Sequence, residues 1–203
     1  MIPFPDHRIT LLICSVLEAE VRQLAALHWP ESPIIALDSL LHIRPEALAQ
    51  RLGPAVDAEL AAGRRVVLVY GDCFAWMSDL EGRPGVARVA GMNCNSILLG
   101  RDECRALLKV GAFFLLPEWT TRWREIFTRD LGLNRENARG LMHDAHRKLV
   151  YLDTGIVPVP TADLQACAEH CGLPWEILPV SLEPLRAAIA EARARVAAPE
   201  VVP

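Results

Sequence analysis

The chain has 203 residues, 52% hydrophobic and 23% charged, with 21 basic against 25 acidic side chains and a formal net charge of −4. So large an apolar share excludes a disordered chain, and the negative balance argues against nucleic acid as a partner. No apolar run reaches the roughly 20 uncharged residues of a membrane helix, and Met1–Arg8 lacks a basic start followed by a long apolar core, so a cytoplasmic protein is expected.

Arg8–Cys14 is a β-rich apolar run, after which Ser15 is expected to cap a helix from Leu17 to about Leu27. Ile34–Leu37 reads as a second strand ending at Asp38-Ser39. Pro45 opens an amphipathic helix to Gly63, with a bend expected at Gly53-Pro54. Arg65–Tyr70 is the clearest strand, and Gly71-Asp72-Cys73 turns out of it. Gly82, Pro84 and Gly85 mark a turn into a strand over Val86–Ala90, followed by a helix from about Ile97 to Val110. Ala112–Leu116 is the fifth strand. Thr120 to about Arg147 reads as helix, broken near Gly132 and again at Gly140. Lys148–Leu152 is a sixth strand, Thr161 caps a helix to Cys171, Glu176–Val180 is an edge strand containing Pro179, and Ser181 caps the last helix.

Strands alternating with helices in this way form βαβ units and a parallel sheet covered on both faces. The expected architecture is a single α/β domain over residues 1–190, three-layered and doubly wound, with a mostly parallel sheet of six to seven strands. A frayed tail is expected over 191–203.

Ligands of open α/β sheets bind at the carboxyl ends of the strands. The residues at those exits are Cys14, Asp38, Cys73, Cys94, Glu118 and Asp153, with His42 shortly after the second strand. Three of the six cysteines therefore sit at strand exits. Six thiols are too sparse for a disulfide scaffold in a chain this long, so they are core residues, metal ligands or reactive groups. Cys14, His42, Cys73 and Cys94 together offer thiolate and imidazole donors suited to zinc or iron. The alternative is that each cysteine is a small buried hydrophobe.

The segments Ile13-Cys14, Leu41-His42 with Pro45, Tyr70-Gly71-Asp72-Cys73, Cys94 with Leu98-Leu99-Gly100-Arg101, Pro117-Glu118-Trp119, and Tyr151–Gly155 resemble a bacterial and archaeal family, domain-of-unknown-function family 1638. The sequence departs from the family pattern at Phe74, Gly91-Met92-Asn93 and Glu118. The resemblance implies no assigned activity. It implies association with corrinoid-dependent methyl-transfer systems, and hence a methyltransferase or corrinoid protein as partner.

Other groups carry weaker signals. Cys167, His170 and Cys171 share helical spacing and offer a second ligand set or, more simply, a packed face. His143 and His146 read as a solvated face or a lid over the strand ends. Cys104 is a further thiol that the fold can bring to the site. Trp119 and Trp123 stand among Arg122 and Arg124 after the fifth strand; Trp119 is the candidate for lining a cofactor pocket, and Trp123 for the core. Asp153 either holds a polar cofactor group or caps its own turn. Dinucleotide, P-loop, nucleophile-elbow and zincin motifs do not occur. The expected function is a metal- or metallocofactor-binding accessory role. The alternatives are a small zinc enzyme with Asp72 or Asp153 as general base, and a metal-free interaction module presenting Trp119 and Trp123.

Overall fold

Ile9–Cys14 (β1) carries six consecutive buried side chains, the pattern of a strand covered on both faces rather than one alternating between core and solvent. The computed structural model describes residues 5–134 and 136–198. The chain forms two compact units, Met1–Ile97 with Leu182–Pro203, and Leu98–Ser181.

In the first unit, β1, β2 (Ile34–Leu37), β3 (Arg65–Val69) and β4 (Val86–Arg88) make a parallel sheet in the order β2-β1-β3-β4. The register sets Cys14 opposite Leu37, Ile13 opposite Val69 and Leu68 opposite Arg88. The exits of the strands therefore lie along one edge. Helices α1 (Glu18–His28), α2 (Pro45–Ala61), α3 (Met77–Glu81) and α4 (Cys94–Leu99) connect or follow the strands. At the foot of α2, Glu59 is buried and accepts from Thr10 Oγ1 at 2.5 Å and from Arg64 at 2.6 and 2.8 Å. A buried carboxylate is stable there because every bond it loses to water is replaced.

The second unit contains α5 (Arg101–Lys109), β5 (Ala112–Leu115), α6 (Pro117–Thr121), a π-helical turn (Glu125–Asp130), α7 (Ala138–Ala145), β6 (Lys148–Asp153), α8 (Thr161–Cys171) and β7 (Trp175–Pro179). Its three strands are parallel in the order β5-β6-β7. Phe127 packs edge-on against Phe113 and Trp123, with centroids 5.6 and 6.3 Å apart. The last helix, α9 (Glu183–Ala197), belongs to the first unit and packs on β3 and β4.

The α/β class and the parallel strand pairing are as the sequence indicates, and β7 is the expected edge strand. The strands divide into two sheets of four and three instead of one. Side-chain patterning marks a strand but carries no information on which hydrogen-bonding neighbour it takes. The expected helix over 97–110 is two helices, α4 and α5, parted by Gly100 at φ +82°, a conformation that a side chain resists. The short α3 was not expected, whereas Gly140 lies inside α7 and α2 runs unbroken through Pro54. Thr161 is the first helical residue of α8 rather than its cap, and α9 is preceded by Leu182 without a side-chain cap, so Ser181 does not serve. The last helix continues to Ala197; residues 199–203 of the expected tail lie outside the described residues.

Candidate functional site

Three cysteines stand at the carboxyl edge of the four-stranded sheet. Cys14 ends β1 and is 5% exposed, Cys73 follows the turn out of β3, and Cys94 is the first residue of α4. Cys73 and Cys94 are half-buried. Cys94 and Cys14 share a hydrogen bond, which with burial and the neighbouring Cys14 and Cys73 sulfurs drives the Cys94 thiol well above its ordinary pKa. Burial, followed by the proximity of Cys14, pushes the Cys73 thiol up to about 11. The same three sulfurs act on the Tyr70 hydroxyl, which is raised first by burial and then by each of them. Thiols with raised pKa values are neutral at pH 7; a group that burial protects from ionising becomes a ligand only when a cation supplies the compensation.

Backbone contacts between adjacent loops explain this convergence. Tyr70 Oη donates to Ile13 O at 2.8 Å, joining the exit of β3 to that of β1. The Asp72 amide donates to Met92 O at 2.8 Å, joining it to the loop after β4. Gly71 lies flat on that loop. A Cβ there would stand 2.5 Å from Asn93 Cα and 2.7 Å from its nitrogen, so a side chain is excluded by backbone. Arg88 completes the joint: it pairs with Asp72 and Glu81 at 3.0 Å each and donates to Gly91 O at 3.1 Å. Asn93 and Ser96 cap α4 reciprocally, with the Ser96 amide on Asn93 Oδ1 at 2.9 Å and the Asn93 amide on Ser96 Oγ at 3.0 Å, which fixes Cys94 on the first turn. Next to Cys94, the buried Oδ1 of Asn95 has no hydrogen-bond partner among the described residues.

Ser15 does not cap α1. Its hydroxyl accepts from the Ser39 amide at 2.8 Å and so ties the exit of β1 to that of β2. His42 lies in the 3-10 turn Ser39–Ile43 beyond β2. More than a third of its surface meets solvent, yet the atoms packed around the ring depress its pKa and favour neutral imidazole. It stands on the same sheet edge, but the groups that act most strongly on Cys73 and Cys94 are the other thiols, Arg88 and Asp72 rather than His42. Among the described residues no group of three or more His, Cys, Asp or Glu side chains is drawn close enough to hold a metal ion as it stands.

The remaining candidates have other work. Asp153 Oδ1 accepts from the Gly155 amide at 2.9 Å, closing its own turn. Trp119 is half-buried on α6 after β5, beside an ion-pair chain of Glu118, Arg122 and Glu125. Trp123 is 4% exposed and packs on Phe127 and His170, with Arg124 over its ring at 4.6 Å. Cys167 and Cys171 are buried and hydrogen-bonded to each other, which raises Cys167, while His170 bonds to Leu133 O at 2.8 Å. They form a packed face. His143 bonds to Gly172 O at 2.7 Å beyond the end of α8, and His146 packs on Phe113 with centroids 5.0 Å apart just before β6. Both precede β6, at the amino ends of the second unit's own strands rather than over their carboxyl ends. Cys104 is buried on α5 in the second unit.

Sequence reasoning missed Tyr70, Gly71 and Arg88. The first two stand in the Tyr70–Cys73 run already singled out. Arg88, a charge ending an otherwise apolar strand, was the available signal for the third.

The family model that matches is described as a protein of unknown function, DUF1638, and it covers residues 36–189. His42, Cys73, Cys94, Trp119 and Asp153 fall within that span, and Cys14 precedes it. No curated protein and no solved structure is significantly similar to the chain. Since the match spans well over half of the sequence, the chain belongs to the DUF1638 family.

Proposed function

We propose that this protein binds a metal ion or metal-containing cofactor through Cys14, Cys73 and Cys94, with His42 as a further donor on the same edge. Its role is accessory: handling or delivering the metal or cofactor in the cytoplasm, in support of a methyltransferase or corrinoid protein. The supporting observation is that three thiols from three separate elements stand at the same sheet edge and all act on the buried Tyr70 hydroxyl. A cysteine serving only as a core hydrophobe has no reason to seek two others at the ligand-binding edge of a parallel sheet. The orphaned Asn95 oxygen beside Cys94 fits a site that a ligand completes. Thiolates and imidazole favour zinc, iron or another thiophilic ion. Binding there replaces the protons that burial now holds on the sulfurs, and supplies positive charge that these residues lack.

The partner assignment rests on the family resemblance alone. A zinc enzyme has less support, because Asp72 is held by Arg88 and Asp153 by its own turn, leaving neither poised as a base. A metal-free module has less support also, because Trp123 is core. The test is elemental analysis of untagged protein prepared without oxygen, with and without Cys73→Ser. Near-stoichiometric metal that disappears in the variant supports the reading. Protein that carries no metal and takes up none of zinc, iron or cobalt on titration overturns it.

A further inference from the structure

We infer that the cavity at the amino ends of β3 and β4 binds a small zwitterion, an α-amino acid with a short aliphatic side chain. The inference goes beyond the metal-binding reading and does not rest on the thiols.

The cavity measures about 230 Å³ and is lined within the first unit alone. Arg65, the first residue of β3, and Gly85, just before β4, place it at the amino ends of those strands. Val86, Ala87 and Val196 give it an apolar wall, and Arg65, Arg195 and Glu81 bring charge to it. Gly85, at φ +77°, leaves room beside the Arg65 stem. A Cβ there would stand 3.6 Å from Arg65 Cγ and would press on Leu60 Cδ2 at 3.3 Å.

Each charge is anchored from outside the cavity. Arg65 Nη1 donates to Val196 O and, at 3.0 Å, to Ala198 O, so it answers the negative end of α9. Arg195 Nη2 donates to Arg88 O, which occupies one edge of its planar fork. The other terminal nitrogen, Nη1, stands 4.0 Å from Glu81 Oε1, too far for a hydrogen bond. Glu81 is held on its other oxygen, where Oε2 accepts from Arg88 Nε at 3.0 Å. A cation and an anion are thus kept side by side without closing on each other. A simple anion would satisfy Arg195 and be repelled by Glu81, and a simple amine would meet the reverse. A molecule with a carboxylate and an ammonium on one carbon satisfies both, through charge-assisted hydrogen bonds. The apolar wall and the small volume are then left to a short aliphatic side chain.

The probe is L-valine, titrated into the whole protein and followed by NMR of the backbone amides. Isovalerate, which is valine without its ammonium, and isobutylamine, which is valine without its carboxylate, are the comparisons. Valine should shift the Gly85, Val86 and Ala87 amides saturably with a Kd below about 10 mM, and each analogue should bind roughly fivefold more weakly. Arg195→Gln should weaken valine by a similar factor. Its side chain is 47% exposed, so the fold should survive, which unchanged amide exchange on β3 checks. Glu81→Gln is the second variant and should remove the preference for valine over isovalerate. Isovalerate or inorganic phosphate binding the parent as tightly as valine overturns the inference. So do shifts confined to other residues, an unaltered valine affinity in folded Arg195→Gln, or no saturable shift at all. None of these outcomes touches the metal-binding proposal, which is read by elemental analysis.

Discussion

Replacing Gly71 by alanine tests the contact that brings Cys73 to Cys94. The new Cβ would fall 2.5 Å from Asn93 Cα and 2.7 Å from Asn93 N, with Met92 O closer still. These are backbone atoms, so no side chain can swing aside and the two loops must part. Overpacking of this kind costs about 1–3 kcal/mol. Parting the loops also breaks the 2.8 Å bond from the Asp72 amide to Met92 O, worth roughly 0.5–1.5 kcal/mol. The sum is a loss of about 2–4 kcal/mol in the first unit. Native-state amide exchange at Leu68 and Val69 on β3 reads this directly, because those amides are freed only when the sheet opens. Faster alkylation of Cys73 should accompany the loss. Gly140→Ala is the control. It sits within α7 with no atom in the way of a Cβ, and there the same chemical change should stabilise by about 0.5–1 kcal/mol. If Gly71→Ala protects β3 as well as the parent does, the loops do not touch and the clustering of the thiols has no structural basis.

The buried carboxylate at the foot of α2 gives a second expectation. Glu59→Gln keeps an acceptor for Thr10 but removes the charged partner of Arg64, and should lower stability at pH 7 by chemical denaturation. The Arg64 hydrogen bond holds the Glu59 pKa below the ordinary carboxylate value, so its contribution is complete above that value and lost as pH falls through the folded one. The parent and the variant should therefore converge in stability in acid, and a constant gap between them would count against the pairing. Cys73 gives the opposite sign. With its folded pKa raised to about 11, its contribution is whole below the unfolded thiol value of about 8.5 and declines as pH rises towards 11. Alkylation of native Cys73 should accordingly still be accelerating at pH 10; a plateau by pH 9 refutes the burial argument.

What the sequence determined by itself was the alternation of strands and helices. The six-residue apolar run at Ile9 and the Arg65–Val69 run have no polar face to offer water, so parallel pairing under helices was the stable outcome. Proline and glycine placed most boundaries, because their effects on φ and on backbone donors are local. The residues at the strand exits were legible for the same reason, and Cys14, Cys73 and Cys94 stand at those exits as their positions indicated. Tertiary structure decided the rest. Whether the strands join as one sheet or two depends on which edges pair, and no residue records that choice locally. Ser15 serves Ser39 rather than its own helix, and Asp153 serves its own turn rather than a ligand; each hydroxyl or carboxylate had several partners in reach, and the fold selected one. The loops that carry Cys73 and Cys94 meet because Gly71 leaves room for Met92 and Asn93, and because Arg88 bonds to both loops. The approach of Gly71 to Met92 and Asn93 joins residues distant in sequence, and side-chain periodicity carries no trace of it.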